Sequence, residues 1–407
     1  MAKYNYKRDA LKGLTPFAFL GEVKTRVKNI EAAPATFPEH DANPNKLAAK
    51  LHPKYQAVKV AKVVEMADAK SYTLVPDESR GTKSLAYFRA GQYISVMMDI
   101  DGAAVTKPYT LAGSPKAALG DENNSYTIMV KKAAEGYGSE YILNNWKEGT
   151  EATISGPLGH YYYQDLRDAK HIVACAGGSG ITPFISMAEA IVDGIENFDL
   201  TILYGSRTED GIVYKKKLDE LVKQAGGKVK VVHILSDEKK NGYENGFITA
   251  ELIKKYGGKD DYSVFVCGNK AFYKFMHGEI DKLGLTAKRA RFEVAGEYGD
   301  PAQNPAYKGD KNATYNVKLL IRGEEKTITC KGDETLLHAI QSAGIRVTTD
   351  CRSGECGWCH SRLISGNVFI PDDQDGRRIA DKKFGWIHPC VTYPLGDIEM
   401  EVFPIIM

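Results

Sequence analysis

The chain has little net charge and no long apolar run. Its 407 residues contain 54 Lys and Arg against 52 Asp and Glu, a net charge of +2, so overall charge does not indicate a nucleic-acid or anionic-membrane partner. No apolar stretch approaches the roughly 18 residues of a membrane span, and residues 1–30 lack the apolar core of a signal peptide. We therefore expect a cytoplasmic protein with no membrane span and no nucleic-acid partner.

Cysteine is scarce, and most of it lies near the C-terminus. Four of the seven cysteines are spaced C-x4-C-x2-C-x30-C, which is the spacing of a plant-type [2Fe-2S] loop. Such a loop turns sharply between ligands, and Gly354 and Gly357 permit those turns. A zinc knot, a disulfide pair and unligated core thiols are the alternatives, although structural zinc usually takes two close ligand pairs and only one CxxC pair is present. The predicted cluster ligands are Cys351, Cys356, Cys359 and Cys390.

The other three cysteines lie within apolar, strand-like runs. They are Cys175, Cys267 and Cys330. Buried free thiols behave as small hydrophobic residues, and they persist in reducing compartments. We therefore predict reduced core thiols at these positions.

The length of the chain and its changing hydrophobic pattern predict several domains. After a basic, proline-punctuated extension, short alternating runs predict an antiparallel barrel of about six strands with one helix, which Ser139 would cap. Strands and helices then alternate, which predicts a doubly wound parallel sheet covered on both faces. A linker rich in Gly and Pro follows. The last stretch predicts a hairpin, a helix capped by Asp333, the cysteine loop and two further strands.

A glycine-rich turn joins the first strand of the predicted parallel sheet to its helix. Residues 177–183, GGSGITP, would let the backbone close on a pyrophosphate, whose charge a helix N-terminus favours. Thr182 and Pro183 suit the N-cap and first positions of that helix. The spacing is not the usual G-x-G-x-x-G, so a plain strand-to-helix turn remains the alternative.

Three segments of the predicted barrel contain the residue types that a flavin needs. A flavin requires an aromatic or apolar wall, a donor near N5 and cationic or N–H donors for its phosphates. Candidates are the strand 107–111, KPYTL, the helix start at Gly138 and Ser139, and the turn 156–161, GPLGHY. Each also has a structural interpretation: Tyr109 as barrel core, Thr110 as a strand residue and Ser139 as a helix cap.

Taken in this order, the motifs resemble the ferredoxin reductase superfamily. The chain is similar to single-chain NAD(P)H reductases that serve oxygenases, desaturases and epoxidases. The resemblance implies a multi-domain α/β plus β fold with an antiparallel flavin-binding barrel, a doubly wound parallel nucleotide-binding sheet and a β-grasp-like ferredoxin domain. The implied boundaries are 1–54 for the N-terminal extension, 55–163 for the FAD-binding barrel, 164–295 for the NAD(P)-binding domain, 296–312 for the linker and 313–407 for the [2Fe-2S] ferredoxin domain.

The resemblance also implies a function. A hydride would pass from NAD(P)H, the co-substrate, to FAD, and single electrons would pass through the [2Fe-2S] cluster to a separate redox protein. That acceptor would be an oxygenase, a desaturase or another terminal reductase. Two alternatives remain: direct flavin-dependent reduction of a small molecule, and an electron-relay subunit of a larger redox complex.

Specific roles follow from the resemblance for residues of the barrel. It implies that Lys107 contacts flavin phosphate, that Tyr109 packs on the isoalloxazine and that Thr110 hydrogen-bonds near N5. Lys107 replaces the family's Arg and so loses a bidentate fork. Ser139 matches a phosphate-binding serine, and the turn that begins at Gly156 resembles FAD-using rather than FMN-using members.

In the nucleotide domain, the resemblance places the Cys267–Gly268 pair beside the nicotinamide. Ser206 and Arg207 stand where NADPH-using relatives bind the 2′-phosphate, which slightly favours NADPH over NADH. The end of this domain departs from the family pattern at Ala295, so either Tyr298 covers the flavin or its face is open. The implied catalytic residues are Thr110, Cys267 and Glu293, and the implied nucleotide contacts are Gly177, Gly178, Gly180, Thr182, Ser206, Arg207 and Gly268.

One residue of the cysteine loop is unusual. Trp358 occupies a position that small residues often fill in this family. An exposed Trp358 would contact a partner, whereas a buried one would shield the cluster, and the sequence leaves both open. His360 and His388 lie near predicted ligands, but four thiols already complete the cluster, so we expect both histidines to be structural.

Overall fold

The described residues of the computed structural model form three large sheets and one two-stranded sheet, and each large sheet lies within one continuous stretch of sequence. The chain divides into two units, 1–50 and 51–407, and all of these sheets belong to the second. Helices α1 (Ala18–Ala32) and α2 (Asn43–Leu51) account for the described part of the N-terminal extension. No helix among the described residues is both long enough and apolar enough to cross a membrane. The structure describes residues 18–32, 43–119, 124–132, 137–293 and 299–403.

The first sheet is antiparallel and closes into a barrel. Its strands pair in the order β4-β3-β6-β1-β2-β5. A bridge between Leu111 and Ile128 links the end of the fourth strand to the fifth and closes the sheet. The strands are β1 (Tyr55–Met66), β2 (Ala69–Pro76), β3 (Tyr93–Ile100), β4 (Ala103–Thr110), β5 (Tyr126–Lys131) and β6 (Glu151–Ser155).

Among the described residues of the barrel, one α-helix is present, α3 (Tyr137–Asn145), which packs against β3, β4 and β5. The predicted barrel and its helix are confirmed. The predicted cap is wrong, because Ser139 lies inside the first turn of the helix and not before it. Side-chain type alone signals a helix start only to within a residue or two.

The second sheet is entirely parallel, with the strand order β10-β9-β8-β7-β11-β12. Along its central strand, Ile172 and Ala174 join one buried apolar cluster while Val173 and Cys175 join another. Alternate side chains therefore face opposite layers, as the predicted doubly wound sheet requires. The strands are β7 (His171–Gly177), β8 (Asp199–Ser206), β9 (Val229–Leu235), β10 (Glu244–Asn245), β11 (Tyr262–Cys267) and β12 (Ala290–Phe292).

Helices cover both faces of the parallel sheet. The first follows a 3-10 turn, Gly178–Ile181, and ends before Gly194, whose φ of +71° closes it as predicted. Thr182 was expected as the N-cap but is the first helical residue, and its hydroxyl donates to the Ser179 carbonyl at 3.0 Å. The helices are α4 (Thr182–Val192), α5 (Lys215–Gln224), α6 (Ala250–Gly257) and α7 (Lys270–Asp281).

The third sheet mixes both strand directions, since its first strand runs parallel to its last while the other neighbours are antiparallel. This arrangement agrees with the expected β-grasp-like domain. Its helices are α8 (Leu336–Ser342) and α9 (Ile379–Lys383). Its strands are β13 (Thr314–Ile321), β14 (Glu324–Lys331), β15 (Ser361–Ser365), β17 (Trp386–Ile387) and β19 (Ile398–Glu401). Two short strands of the same domain, β16 (Val368–Phe369) and β18 (Tyr393–Pro394), form the separate two-stranded antiparallel sheet.

The cap of α8 differs from the prediction. Thr335, and not Asp333, accepts the free backbone N–H of His338, at 3.2 Å. Both residue types are good caps. The helix begins two residues later than expected because Leu336 is its first buried residue.

A buried ion pair joins the barrel's final turn to the parallel sheet. Arg291 Nη1 lies 2.9 Å from Asp168 Oδ2, with both side chains almost fully buried. The Arg291 guanidinium also donates to the backbone carbonyls of Tyr162, at 2.6 Å, and His160. One side chain therefore satisfies three acceptors at the junction, which offsets the cost of burying its charge.

Removing the carboxylate of this pair should destabilise the protein strongly. We expect Asp168→Ala to lower the free energy of unfolding by about 3–5 kcal/mol, because Arg291 would remain buried without its counter-charge. Asp261→Ala is the matched control, since Asp261 pairs with Arg289 but is 63% exposed, and should cost less than ~1 kcal/mol. Urea unfolding of both variants measures the difference, and similar midpoints for the two would contradict the prediction.

Candidate functional site

The four predicted cluster cysteines converge on one loop. Cys359 Sγ lies 3.4 Å from Cys390 Sγ, although thirty residues separate them in sequence. Cys351 Sγ accepts the backbone N–H groups of Ser353, at 3.5 Å, and Cys356, at 3.4 Å. Two thiol pairs in a loop with inward N–H groups fit a [2Fe-2S] cluster, whose sulfurs need both.

Hydrogen bonding already favours a thiolate at one ligand. A hydrogen bond from the Cys356 thiol, helped by the N–H groups of Ser353 and Cys356, lowers the pKa of Cys351. Metal ligation requires the thiolate form of cysteine. Gly354 and Gly357 have φ values of +82° and +73°, which confirms the predicted turns.

Both nearby histidines are held by protein groups. His388 Nδ1 donates to the Gly354 carbonyl at 2.6 Å, and the His360 ring stacks on Trp386 at 4.2 Å. Nε2 of His360 lies 3.3 Å from Asp381 Oδ1, and Arg378 also binds that carboxylate. These contacts support the predicted structural roles.

The two sides of the cysteine loop differ in exposure. Cys351 and Arg352 are buried, whereas Cys356 is exposed and Trp358 is 46% exposed. Trp358 therefore lies on the exposed side of the loop, as the partner-contact alternative requires.

The flavin candidates lie on β4 and on the helix beside it. A Cβ atom at Gly138 would stand 2.9 Å from Cγ of Lys107, so the Lys107 stem runs along the first turn of α3, next to Ser139. Tyr109 is half-buried against the barrel core, and burial raises the pKa of its hydroxyl. The structure thus brings Lys107 and Ser139 together, and it gives Tyr109 a core contact.

The three predicted catalytic residues form one hydrogen-bonded group. Thr110 Oγ1 donates to Glu293 Oε1 at 2.8 Å, and Cys267 Sγ donates to Glu293 Oε2 at 2.6 Å. They come from the ends of β4, β12 and β11, so the barrel and the parallel sheet meet at this carboxyl. Burial raises the pKa values of Glu293 and Cys267, which favours uncharged side chains in this group.

The glycine-rich turn packs tightly against the Cys267–Gly268 pair. A Cβ atom at Gly180 would lie 2.0 Å from the carbonyl oxygen of Cys267, and one at Gly268 would lie 2.4 Å from the Phe272 ring. A Cβ atom at Gly177 would lie 2.9 Å from the same ring, while Gly178 has a φ of +55°. The glycine-rich turn and the Cys267–Gly268 pair are therefore neighbours. Phe272, which the sequence analysis did not single out, packs against both.

The remaining candidate residues lie at the ends of strands or directly after them. Ser206 ends β8 and is half-buried, and the Arg207 side chain is exposed. A Cβ atom at Gly156 would lie 2.3 Å from the Pro53 carbonyl oxygen, so backbone packing alone requires a glycine there. Ala295 and Tyr298 lie outside the described residues.

Sequence reasoning missed the contact between the barrel and the cysteine loop. Asp350, next to Cys351, accepts hydrogen bonds from Ser95 Oγ at 2.5 Å and Tyr93 Oη at 3.1 Å. The available signal was a pair of opposite charges, Asp350 and Arg352, on either side of the first cysteine. Charges beside a cluster ligand need partners, but the sequence does not show where those partners are.

Three family models match successive parts of the chain. Residues 62–163 match an oxidoreductase FAD-binding domain, 175–278 an oxidoreductase NAD-binding domain and 319–395 a 2Fe-2S iron-sulfur cluster binding domain. The four candidate ligands lie inside the third match. The matches follow the order of the three sheets.

The chain is similar to known reductases over most of their length. The ferredoxin reductase component of 3-ketosteroid-9-alpha-monooxygenase from Rhodococcus rhodochrous is 28% identical over 83% of this chain and 93% of its own. The reductase subunit of glycine betaine monooxygenase from Chromohalobacter salexigens is 24% identical over 84% and 94%. Phthalate dioxygenase reductase has a similar fold, with a TM-score of 0.62 at 24% identity over 86% of this chain and 98% of its own.

The raised pKa of Glu293 predicts a pH-dependent cost to stability. Above the ordinary value of 4.5 the unfolded chain loses this proton while the folded chain retains it, so stability falls as pH rises towards the folded pKa. We therefore expect Glu293→Gln to raise the melting temperature relative to wild type more at pH 8 than at pH 5.

Glu279→Gln is the control of opposite sign. A hydrogen bond from Lys282 lowers the pKa of the Glu279 carboxyl, so its contribution exists above the ordinary pKa and is lost in acid. This variant should lower the melting temperature at pH 8. Identical pH profiles for the two variants would refute the assignment of Glu293.

Proposed function

Because this chain is a member of the ferredoxin reductase superfamily, an NAD(P)H oxidoreductase with FAD-binding, NAD-binding and [2Fe-2S] domains, we propose that it is the reductase component of an oxygenase system. Its relatives include the reductase components of two monooxygenases. The separate acceptor would be the oxygenase component. When bound, FAD converts the two-electron donor NAD(P)H into the one-electron source that a [2Fe-2S] cluster needs.

The observation that carries this proposal is the group formed by Thr110, Glu293 and Cys267. The Glu293 carboxyl accepts a hydrogen bond from the Thr110 hydroxyl, on the predicted flavin strand, and another from the Cys267 thiol, beside the predicted nicotinamide site. Raised pKa values favour the neutral forms of Cys267 and Glu293, so the group adds little charge where a hydride is transferred. The hydroxyl proton of Thr110 is directed at Glu293, so Thr110 would face flavin N5 with its oxygen, as a hydrogen-bond acceptor.

The remaining candidate residues would bind the cofactors and fix their positions relative to one another. Lys107 and Ser139 would bind flavin phosphate at the start of α3, and the turn 177–183 would bind the nucleotide pyrophosphate at the start of α4. The cluster would be held by the four cysteines. The exposed edge with Cys356 and Trp358 would meet the acceptor.

Loss of one cluster ligand should separate two activities. Adding NADH or NADPH to the anaerobic wild-type protein should bleach both flavin and cluster absorption. Cys359→Ser should reduce cytochrome c only at background rate and should keep ferricyanide reduction, because the flavin reduces ferricyanide directly while the one-electron path to a protein needs the cluster. Both rates are read by absorbance.

The control is Cys330→Ser, which changes a buried thiol of the same domain that donates only to backbone carbonyls. It should keep both activities. Cytochrome c reduction that survives Cys359→Ser would place the cluster off the path. A wild-type protein in which neither band bleaches would instead favour a relay subunit and refute the proposal.

Arg207 should discriminate between the two nucleotides. If it binds the 2′-phosphate, Arg207→Ala raises the KM for NADPH by about 10-fold, the value of one lost charge-assisted hydrogen bond, and leaves the KM for NADH unchanged. Arg207→Lys keeps the charge and should recover part of the loss. Equal effects on NADH and NADPH in steady-state assays would remove this role.

A further inference from the structure

Two buried charged residues flank the first cluster cysteine, and both reach the flavin barrel. Asp350 accepts hydrogen bonds from Ser95 and Tyr93, which lie 255 and 257 positions away in sequence. All three side chains are buried. Ser95 is itself fixed, since its N–H donates to Ser155 Oγ at 2.9 Å. The carboxyl therefore meets prepared donors on β3.

On the other side of Cys351, Arg352 is only 2% exposed. Its Nη1 donates to the Thr106 carbonyl on β4, at 2.8 Å, and to Gln341 Oε1 on α8, at 2.7 Å. Its φ of +57° lies in the left-handed region, which disfavours residues with a Cβ atom. Such a conformation persists only where surrounding contacts determine it.

Tyr93 stands where the three sites approach each other. Its backbone pairs with Thr110 across β3 and β4, and it exchanges two hydrogen bonds with Leu158 in the predicted flavin turn. Paired residues of neighbouring strands share one face of a sheet. The face that presents Thr110 to Glu293 thus also presents Tyr93 to Asp350.

We propose that Tyr93, Ser95, Asp350 and Arg352 are positioning residues that hold the Cys351 side of the cluster loop on the β3–β4 pair, so that electrons enter the cluster beside Cys351. This inference rests on the proposed function. Each transfer would move one electron from the reduced flavin to a ferric ion of the cluster, and the cluster would pass that electron to the separate acceptor before the second electron of the hydride follows. The flavin's protons leave to solvent.

The test measures two rates in the full-length protein loaded with FAD and cluster. After anaerobic rapid mixing with NADH or NADPH, Tyr93→Phe, Ser95→Ala and Asp350→Asn should bleach the flavin at the wild-type rate. Cluster bleaching should slow by about 10-fold or more, because losing a hydrogen bond to a charged group weakens the contact between the cysteine loop and the barrel by that factor. Ser95→Thr keeps the hydroxyl and should restore the rate.

A second readout does not depend on turnover. Hydrogen exchange of the oxidised full-length variants should be faster than in wild type at residues 93–98 and 346–353, and unchanged in the parallel sheet. Tyr126→Phe is the matched control, because it removes another buried tyrosine hydroxyl of the barrel, one that donates to the Ala86 carbonyl. Both of its bleaching rates should equal those of wild type.

Two results would overturn the inference. Cluster bleaching as fast in Tyr93→Phe and Asp350→Asn as in Tyr126→Phe would show that these contacts do not set electron entry. Unchanged exchange at residues 346–353 would show that they do not hold the loop. Failure of the proposed function itself looks different, since the wild-type cluster would then not bleach while the exchange differences persist.

Discussion

One cross-strand pair of the barrel, Tyr93 opposite Thr110, contacts both the end of the parallel sheet and the cysteine loop. Thr110 donates to Glu293 at the end of the parallel sheet, and Tyr93 donates to Asp350 beside the cysteine loop. Each acceptor is a desolvated carboxyl, and a carboxyl in that environment is costly unless it is hydrogen-bonded. The arrangement of the three sheets at this point is therefore tied to two specific acceptors and not only to apolar contact.

The same requirement explains why opposite charges surround the first cluster cysteine. The buried charge of Arg352 is satisfied by Thr106 and Gln341, and that of Asp350 by Tyr93 and Ser95. An apolar interface of similar area could stabilise the contact equally well, but it would tolerate small shifts. Directional hydrogen bonds favour one geometry, which suits a site whose task is electron transfer.

Much of the fold could be predicted because hydrophobic periodicity records which face of each strand is buried. The strand at residues 171–177 alternates between two cores, and the cysteine spacing alone indicated the loop. The caps were less predictable: Ser139 and Asp333 are suitable residue types, yet α3 begins at Tyr137 and α8 at Leu336, after the cap Thr335, and residue type alone does not fix a helix start to the exact position. The Asp350 contacts could not be predicted, because no local sequence pattern links residues more than 250 positions apart.

Glycines in the predicted cofactor motifs can be required by close packing of the chain against itself as well as by the approach of a ligand. Gly180 cannot accept a side chain because the Cys267 carbonyl occupies that space, and Gly156 lies against Pro53. For Gly180 the two explanations agree, since the contact brings the turn and the Cys267–Gly268 pair to one place. For Gly156 packing is sufficient by itself. A glycine motif therefore supports a binding site most strongly when the backbone it approaches belongs to another part of that same site, and that condition depends on the fold.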